Sequence, residues 1–208
     1  MIERFSKLIT FLTLLIISSL AFSQAPGWFA DVVAKKRTGV KEKTTVEFIE
    51  ELWNTICAVS EKYEMDPVFI TTVIAYESNF VNAKGPGGVL GMMQILPSTA
   101  QIIAKLLSLE VPKDWNQLLT DYKLNITYGT AYLSYLYKKT GSLSKALESY
   151  NNGKNKEIYA KNVMSLYDKY KQMHENELAK SRKGIDNQIM SMEEIDKTST
   201  ATNTEAER

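Results

Sequence analysis

The residues of this chain that could carry out catalysis are mainly carboxylates. Among its 208 residues there is one cysteine, Cys57, and one histidine, His174. An intrachain disulfide is therefore excluded, a zinc site of cysteine and histidine is not supported, and a Ser-His-Asp or Cys-His mechanism would have to use His174. Aspartate and glutamate together number 24, so carboxylates supply most of the groups that could act as acids or bases.

Glu77 has the sequence surroundings that acid catalysis requires. It comes at the end of an apolar helix predicted to start at Pro67, it lies between Tyr76 and Phe80, and a glycine-rich stretch follows at residues 84–91. If that stretch folds over Glu77, loss of solvent raises the pKa of its carboxyl group and makes it a general acid near neutral pH. The alternative is that Glu77, like most glutamates near a helix end, is a solvated or helix-capping carboxylate without a catalytic role.

Composition and charge exclude several classes of function. The formal net charge is +1, so the chain lacks the positive field on which nucleic-acid binding depends. Hydrophobic residues make up 44% of the chain, enough for the core of one domain or of two small ones. Cys57 falls on the apolar face of a predicted helix, which indicates a buried small side chain and not a reactive thiol.

An export signal is predicted at the N-terminus. Arg4 and Lys7 precede an apolar run at residues 8–17, and small residues follow it. The run is short for a membrane span, so these features predict a secretory signal peptide over residues 1–23. The alternative is that this segment is not cleaved and anchors the chain to a membrane. The predicted location is outside the cytoplasm, in the periplasm or at the cell wall.

Helical patterns predict an all-α domain over residues 44–175. Apolar residues recur at helical spacing in several segments, and no stretch shows the two-residue alternation of a β-strand. Thr44 and Glu47 have the spacing of a capping box, while Asp66 and Pro67 form a typical helix start.

Two segments flank this predicted domain. Residues 24–43 mix proline, glycine and a basic cluster and are predicted to be a linker, with contact to an anionic lipid or polymer as a less favoured role. Residues 176–208 contain no aromatic residue and include a polar run at 198–204, which predicts a flexible tail. A frayed helix or a docking segment is the alternative around residues 185–192.

Four blocks of sequence, in this order, resemble the soluble lytic transglycosylase family. They are residues 77–80 (ESNF), residues 91–100 (GMMQILPSTA), Asn125 with Gly129, Tyr132 and Leu133, and residues 146–153 (ALESYNNG). Enzymes of that family have a lysozyme-like domain and act on bacterial peptidoglycan. The resemblance extends over about residues 45–170 and implies a lysozyme-like helical domain with a glycine-rich active-site loop.

The resemblance assigns Glu77 as the single catalytic acid and base. The substrate-binding residues that it implies are Ser78, Met93, Gln94, Tyr150 and Asn151. Gln94 is expected along the glycan groove and Tyr150 beside the reacting sugar. For at least one of Met92 and Met93, the alternative to substrate binding is that the side chain fills the core.

One departure from the family pattern concerns residues 83–91. The family commonly has a serine near the acetamido group of the sugar, where this chain has Gly85, and the spacing between Phe80 and Ala83 is one residue shorter than usual. The resemblance therefore implies that a hydrogen bond to the substrate is missing, or that water or Ser78 supplies it. Reduced activity or an altered substrate preference is the expected consequence.

The reaction that the resemblance implies consumes no water. Glu77 protonates the glycosidic oxygen between N-acetylmuramic acid and N-acetylglucosamine and then takes the proton of the muramyl 6-hydroxyl, which closes a 1,6-anhydro ring. No second carboxylate is needed when the substrate's own N-acetyl group stabilises the developing charge. Asp66 is predicted to be a helix cap. The sequence leaves open whether Asp121 or Glu148 acts as a second acid.

Other functions are compatible with the same residues. A goose-type lysozyme-like hydrolase would use Glu77 to deliver water, and a catalytically weak peptidoglycan-binding protein would keep the groove alone. A helical adaptor with chance motif matches is the most distant alternative. The implied partners are peptidoglycan glycan strands and a secretion or conjugation apparatus that opens the wall locally, although general wall turnover fits equally. No cofactor and no metal are implied.

Overall fold

The computed structural model describes residues 24–151 and 153–205. In this part of the chain the secondary structure is helical apart from two isolated β-bridges, so the predicted all-α class is confirmed. The predicted signal segment, residues 1–23, lies outside the described residues. The helices are α1 (Gly27–Gly39), α2 (Val46–Tyr63), α3 (Pro67–Glu77), α4 (Pro97–Leu107), α5 (Gln117–Thr120), α6 (Tyr122–Thr140), α7 (Leu143–Asn151) and α8 (Lys156–Glu205), with a 3-10 turn at Pro86–Gly88.

α3 is the central helix, and its start is fixed by the predicted cap. Oδ1 of Asp66 accepts a hydrogen bond from the backbone N–H of Val68 at 2.7 Å, and Pro67 occupies the first turn, where the lack of an N–H has no cost. The second oxygen of Asp66 accepts a hydrogen bond from the Tyr167 hydroxyl on α8 at 2.6 Å. The cap therefore also ties α3 to α8.

The body of α3 is buried around its whole circumference. All eight residues from 68 to 75 are buried, as expected for a helix that is apolar on every side. On one side the ring of Phe69 packs edge to face against Tyr167, with ring centroids 5.4 Å apart. Because Glu77 is the last residue of α3, its carboxyl group lies at the edge of the buried core.

Two further helices begin at side-chain caps. Oδ1 of Asp121 accepts a hydrogen bond from the backbone N–H of Leu124 at 3.1 Å and so opens α6. α2 begins one residue later than the predicted capping box, because Thr45, and not Thr44, accepts from the backbone N–H of Phe48 at 3.2 Å.

Residues 24–43 were predicted to be a linker, and the structure corrects this. α1 lies within these residues, and its apolar positions are buried in the core. They are Trp28, Phe29, Val32 and Val33. Their spacing places all four on one side of a helix. From the basic cluster, Arg37 donates a hydrogen bond to the carbonyl oxygen of Phe80 at 2.5 Å, so this cation stabilises the fold.

The C-terminal boundary also differs from the prediction. Residues 176–208 were expected as a flexible tail, but α8 continues through this region to Glu205. The glutamates and lysines of this stretch favour a helix without needing a buried face. Glu177 accepts hydrogen bonds from the backbone N–H groups of Gly27 and Trp28, both at 2.7 Å. The folded unit therefore extends past both ends of the predicted 44–175 domain.

Candidate active site

Glu77 lies at the junction between α3 and the glycine-rich loop, with its carboxyl group largely removed from solvent. Burial raises the pKa of Glu77 to about 7 because the charged form loses hydration. The hydroxyl of Tyr159, in the first turn of α8, donates a hydrogen bond to Oε1 of Glu77, which lowers the pKa and so offsets part of this rise. At neutral pH the side chain therefore populates both protonation states.

Ser78 connects the end of α3 to the loop and does not line the cleft. Its hydroxyl donates a hydrogen bond to the carbonyl oxygen of Met92 at 2.7 Å and accepts one from the backbone N–H of Val81 at 3.3 Å. Both contacts are to main-chain groups, so the side chain closes the loop against α3. The structure thus gives Ser78 a positioning role in place of the predicted contact with substrate.

The loop is held from the other side by Asn125 of α6. Oδ1 of Asn125 accepts from the backbone N–H of Met93 at 2.8 Å, and Nδ2 donates to the carbonyl oxygen of Leu90 at 2.8 Å. Gly91, between them, has φ of +75°, and a Cβ there would lie 2.3 Å from both Nδ2 of Asn125 and the carbonyl oxygen of Leu118. Asn125 therefore holds the backbone of the loop on both sides of Gly91, and position 91 requires a glycine because a side chain there would collide with Asn125 and the Leu118 carbonyl.

Met93 was predicted to bind substrate, but its side chain belongs to the core. It is 0% exposed, and its Sδ occupies the space above Gly129, where a Cβ would lie 2.4 Å away. The main chain of Met93 contributes instead, because its carbonyl oxygen accepts a hydrogen bond from the Tyr150 hydroxyl at 2.7 Å. Core filling, the alternative considered for the two methionines, holds for both, since Met92 is also buried.

Gln94 lines the cleft and also ties the loop together. Its Nε2 donates to the carbonyl oxygens of Ala83 at 2.9 Å and Gly91 at 2.7 Å. Its Oε1 lies against Gly85, where an added Cβ would be only 1.9 Å away. The space that a serine side chain would take at position 85 is thus occupied by the carboxamide of Gln94.

A cleft of about 400 Å³ brings together four of the predicted site residues. Its lining is Glu77, Pro86, Val89, Gln94, Ile95, Leu96, Thr99, Tyr132, Tyr150 and Asn151. The rings of Tyr132 and Tyr150 lie 5.3 Å apart at 34° to one another and form an aromatic part of this wall. The volume of this cleft is within the range of small-molecule sites, and its wall carries polar groups as well as apolar side chains.

The tyrosines around Glu77 remain hydrogen-bond donors. Burial raises the pKa of Tyr150 and of Tyr159 well above the ordinary value for a phenol, and the nearby carboxylate of Glu77 raises both further. Asn151 contributes a side chain whose Oδ1 accepts from the backbone N–H of Gly153 at 3.1 Å. The site thus combines one titrating carboxyl group with neutral donors.

The other candidate acids have structural partners. Asp66 and Asp121 are helix caps, and Glu148 forms an ion pair with Lys145 at 2.9 Å. Of the described residues that line the cleft, Glu77 is the one that carries a carboxylate.

The residues that could perform other chemistry are also in structural positions. Nδ1 of His174 accepts a hydrogen bond from the indole N–H of Trp28 at 3.0 Å, and burial raises the pKa of Cys57 to about 11. Among the residues with described side chains, no cluster of three or more His, Cys, Asp and Glu could hold a metal ion.

Tyr159 is the site residue that sequence reasoning missed. Its spacing with the apolar residues after it matches one face of an amphipathic helix, and it is indeed buried, so the pattern indicated only a core position. Its location in the first turn of α8, soon after the block that contains Tyr150, is the one signal that could have drawn attention to it.

Comparison with known proteins gives a family match over residues 54–173, to the family described as Transglycosylase SLT domain. The membrane-bound lytic murein transglycosylase E of Buchnera aphidicola subsp. Acyrthosiphon pisum is 37% identical over 89 residues, which are 42% of this chain and 40% of that protein. The soluble lytic murein transglycosylase of Escherichia coli K12 is 42% identical over 59 residues, 28% of this chain and 9% of that protein. The chain thus spans less than half the length of these relatives.

Solved structures agree on the fold. The 70 kDa soluble lytic transglycosylase of Escherichia coli superposes with a TM-score of 0.52 at 22% identity, over 62% of this chain and 27% of that one. An inactive variant of the lytic transglycosylase Slt of Pseudomonas aeruginosa gives a TM-score of 0.55 at 18% identity, over 76% of this chain and 30% of that one. Across the described residues, no helix has the length and apolar character needed to cross a bilayer.

Proposed function

The chain belongs to the transglycosylase SLT domain family, and from this premise we propose that it is a peptidoglycan lytic transglycosylase. The bond cleaved is the β-1,4 linkage between N-acetylmuramic acid and N-acetylglucosamine, and the product carries a 1,6-anhydro-N-acetylmuramic acid end. Glu77 is the acid and base, while Gln94, Tyr150 and Asn151 contact the glycan strand from the cleft wall.

The observation that carries this proposal is the environment of Glu77. Its pKa of about 7 keeps a large fraction protonated at neutral pH, as a general acid requires. Tyr159 contacts Oε1, so Oε2 is left to hold the proton that is passed to the substrate. Once this proton has left, the hydroxyl of Tyr159 stabilises the carboxylate until the second step.

Each proton in the proposed reaction has a defined donor and acceptor. Glu77 protonates the glycosidic oxygen as the bond from that oxygen to the muramyl anomeric carbon breaks. The muramyl N-acetyl group stabilises the positive charge that develops at this carbon. The ionised Glu77 then accepts the proton of the muramyl 6-hydroxyl, and the 6-oxygen bonds to the anomeric carbon. Because this nucleophile is part of the substrate, its effective concentration is high when the sugar is held correctly.

The absence of a second carboxylate in the described cleft lining favours this reaction over two-acid hydrolysis. Inverting hydrolases need a second carboxylate to activate water, and retaining ones need it as the nucleophile. Asp121 and Glu148, which the sequence left open for this role, do not line the cleft. Attack by water without a second acid, as in a goose-type lysozyme-like hydrolase, is the competing outcome that product analysis distinguishes.

The proposed setting for this reaction is the bacterial cell wall. The predicted signal peptide would export the chain to the periplasm or to the wall, where glycan strands are accessible. There we propose that it opens the wall locally for a secretion or conjugation apparatus, as its resemblance to small exported transglycosylases implies. Deletion of the gene should then reduce assembly or transfer by such an apparatus while leaving growth unchanged, whereas a general growth defect would indicate wall turnover.

The test of the reaction is mass spectrometry of the soluble muropeptides released from purified peptidoglycan. The expected products are one water lighter than ordinary reducing muropeptides. Glu77→Gln, which keeps the shape of the side chain but cannot donate the proton, should reduce their release by about 100-fold or more. Glu175→Gln is the matched control, because this exposed glutamate on α8 lies outside the cleft lining.

Three results would overturn the proposal in different ways. Fully hydrated products would assign a hydrolase, and no release despite sedimentation with peptidoglycan would assign a binding protein. Full activity of Glu77→Gln would remove Glu77 from its catalytic role.

A further inference from the structure

A second cavity lies between α1 and α8, separate from the cleft that contains Glu77. Its volume is about 520 Å³, within the range of small-molecule sites. Its apolar walls come from both helices: Val32 from α1, and Leu166 and Met173 from α8. None of its lining residues belongs to the lining of the cleft, so the proposed reaction does not account for it.

Three lysine residues are part of the lining of this cavity. They are Lys35 and Lys36 on α1 and Lys169 on α8, and the one acidic residue in the lining is Asp31. Among the described ion pairs, none involves these three lysines. Burial lowers the pKa of Lys36, and the nearby charge of Lys169 lowers it further. Lys36 and Lys169 are therefore close enough for their like charges to repel, and no described ion pair offsets this repulsion.

We propose that this cavity binds an anionic phospholipid, and that the face formed by α1 and α8 docks on a membrane surface. The headgroup phosphate lies among the ammonium groups of Lys35, Lys36 and Lys169, and the start of an acyl chain packs on Val32 and Met173. An anion at this position relieves the repulsion among the lysines, and burial of the chain adds hydrophobic stabilisation. A free phosphate gains nothing from the apolar walls, so the combination of walls and charges favours an amphiphile.

The charge on this face is a local feature. The chain as a whole carries a formal charge of only +1, so attraction to an anionic surface depends on where the cations are grouped.

The experiment uses methyl NMR of the full chain with short-chain lipids below their micelle concentration. Dihexanoyl phosphatidylglycerol should shift the methyl signals of Val32, Leu166 and Met173 in a saturable manner. Dihexanoyl phosphatidylcholine, which has the same chains but no net charge, should bind about tenfold more weakly or worse. Glycerol 3-phosphate, which has the phosphate without chains, separates a lipid site from a simple phosphate site and should also bind at least about tenfold more weakly.

Two variants with the same net charge test the role of the lysines. The triple variant Lys35→Gln, Lys36→Gln, Lys169→Gln should lose about tenfold or more in affinity for the anionic lipid. The matched control changes three exposed lysines away from the cavity, Lys105→Gln, Lys113→Gln and Lys139→Gln, and should retain affinity. Retained dispersion of the methyl spectrum shows that each variant is folded.

Several outcomes would overturn the proposal. Equal binding of the two lipids would show that the lysines do not select the headgroup, and equal binding of glycerol 3-phosphate would reassign the cavity to free phosphate. Shifts confined to Ile102 and Leu106, which are exposed on α4, would move the docking face to another side of the molecule. An absence of any shift would remove the site. None of these results bears on the proposed reaction at Glu77.

Discussion

The phenolic hydroxyl of Tyr159 donates a hydrogen bond to Oε1 of Glu77 across 82 positions of sequence. Burial raises the pKa of Glu77 to about 7, and the bond from Tyr159 acts in the opposite direction. Glu77 in turn raises the pKa of Tyr159 beyond the effect of burial, so the tyrosine keeps its proton while the glutamate titrates. The pair thus consists of a fixed donor and an acid that changes its charge.

Removal of this donor should change the pH dependence of the reaction. In Tyr159→Phe the carboxylate of Glu77 loses a hydrogen bond, so its pKa rises further and the alkaline limb of kcat/KM moves up by about one pH unit. The rate on the plateau should fall about tenfold, because the carboxylate formed in the first step is less stable. Initial rates of muropeptide release across a pH series measure both effects.

Tyr167→Phe is the control for this variant. It makes the same chemical change on the same helix, but the hydroxyl that it removes contacts Asp66 at the start of α3. It should destabilise the fold without moving the alkaline limb. An unmoved limb in Tyr159→Phe, or a shift in both variants, would show that the bond does not tune Glu77.

The same carboxyl group should make stability depend on pH. The pKa of Glu77 is about 7 when folded, against an ordinary value of 4.5, so between these values the folded state holds a proton that the unfolded state has lost. Stability therefore falls as pH rises through this window, by about 3 kcal/mol in total, and levels off above it. Urea unfolding at about pH 5 and pH 8 measures this difference, which Glu77→Gln should reduce by a similar amount. If that substitution leaves the difference unchanged, a group other than Glu77 is responsible for it.

Much of the fold follows from patterns within short stretches of sequence. The cap at Asp66 and the apolar run of α3 each depend on neighbouring residues, so the sequence predicted the helix that contains them. α1 was missed because proline and glycine at its start suggested a linker. The first turn of α1 donates hydrogen bonds to Glu177, which is 149 and 150 positions away along the chain, and no local pattern contains such a contact.

The site residues that could be predicted are those that belong to a recognisable block of sequence. Glu77, Gln94, Tyr150 and Asn151 belong to recognisable blocks, and the structure brings them to one cleft. Ser78 and Met93 belong to the same blocks, but their side chains satisfy the backbone and the core. Whether a side chain in such a loop points to solvent or inward depends on positive φ angles and on packing, which the blocks do not encode.

The loop should tolerate a side chain at Gly87 far better than at Gly91. Both have positive φ, +72° and +75°, but a Cβ on Gly87 meets nothing within 4 Å, whereas one on Gly91 meets Asn125 and the carbonyl oxygen of Leu118 at 2.3 Å. Gly87→Ala should therefore cost about 1 kcal/mol, for the backbone alone. Gly91→Ala should cost about 3 kcal/mol or more, because the hydrogen bonds of Asn125 must also break. Chemical denaturation measures both, and equal losses would indicate that the loop relaxes around Gly91.

A serine at position 85, the residue common in the family, should conflict with Gln94. A Cβ there would lie 1.9 Å from Oε1 of Gln94 and 2.7 Å from Cγ2 of Val89, so Gly85→Ser should destabilise the fold by about 1–3 kcal/mol. In a Gln94→Ala background the loss should shrink by about 1 kcal/mol or more, while the contact with Val89 keeps it above zero. The four proteins of this cycle are compared by urea unfolding. Additive losses would show that Gln94 does not occupy the space of the serine.

Glu177 should contribute to stability although it lies beyond the predicted domain. Its carboxylate accepts from the backbone N–H groups of Gly27 and Trp28 at 2.7 Å each, which satisfies two donors that the first turn of α1 leaves open and places a negative charge at the positive end of that helix. Glu177→Ala should therefore cost about 1–2 kcal/mol and expose α1 to proteolysis. Glu175→Ala, also on α8, is the control and should stay within about 0.5 kcal/mol of the parent chain. Equal stability of the two variants would mean that α1 is held by its buried side chains alone.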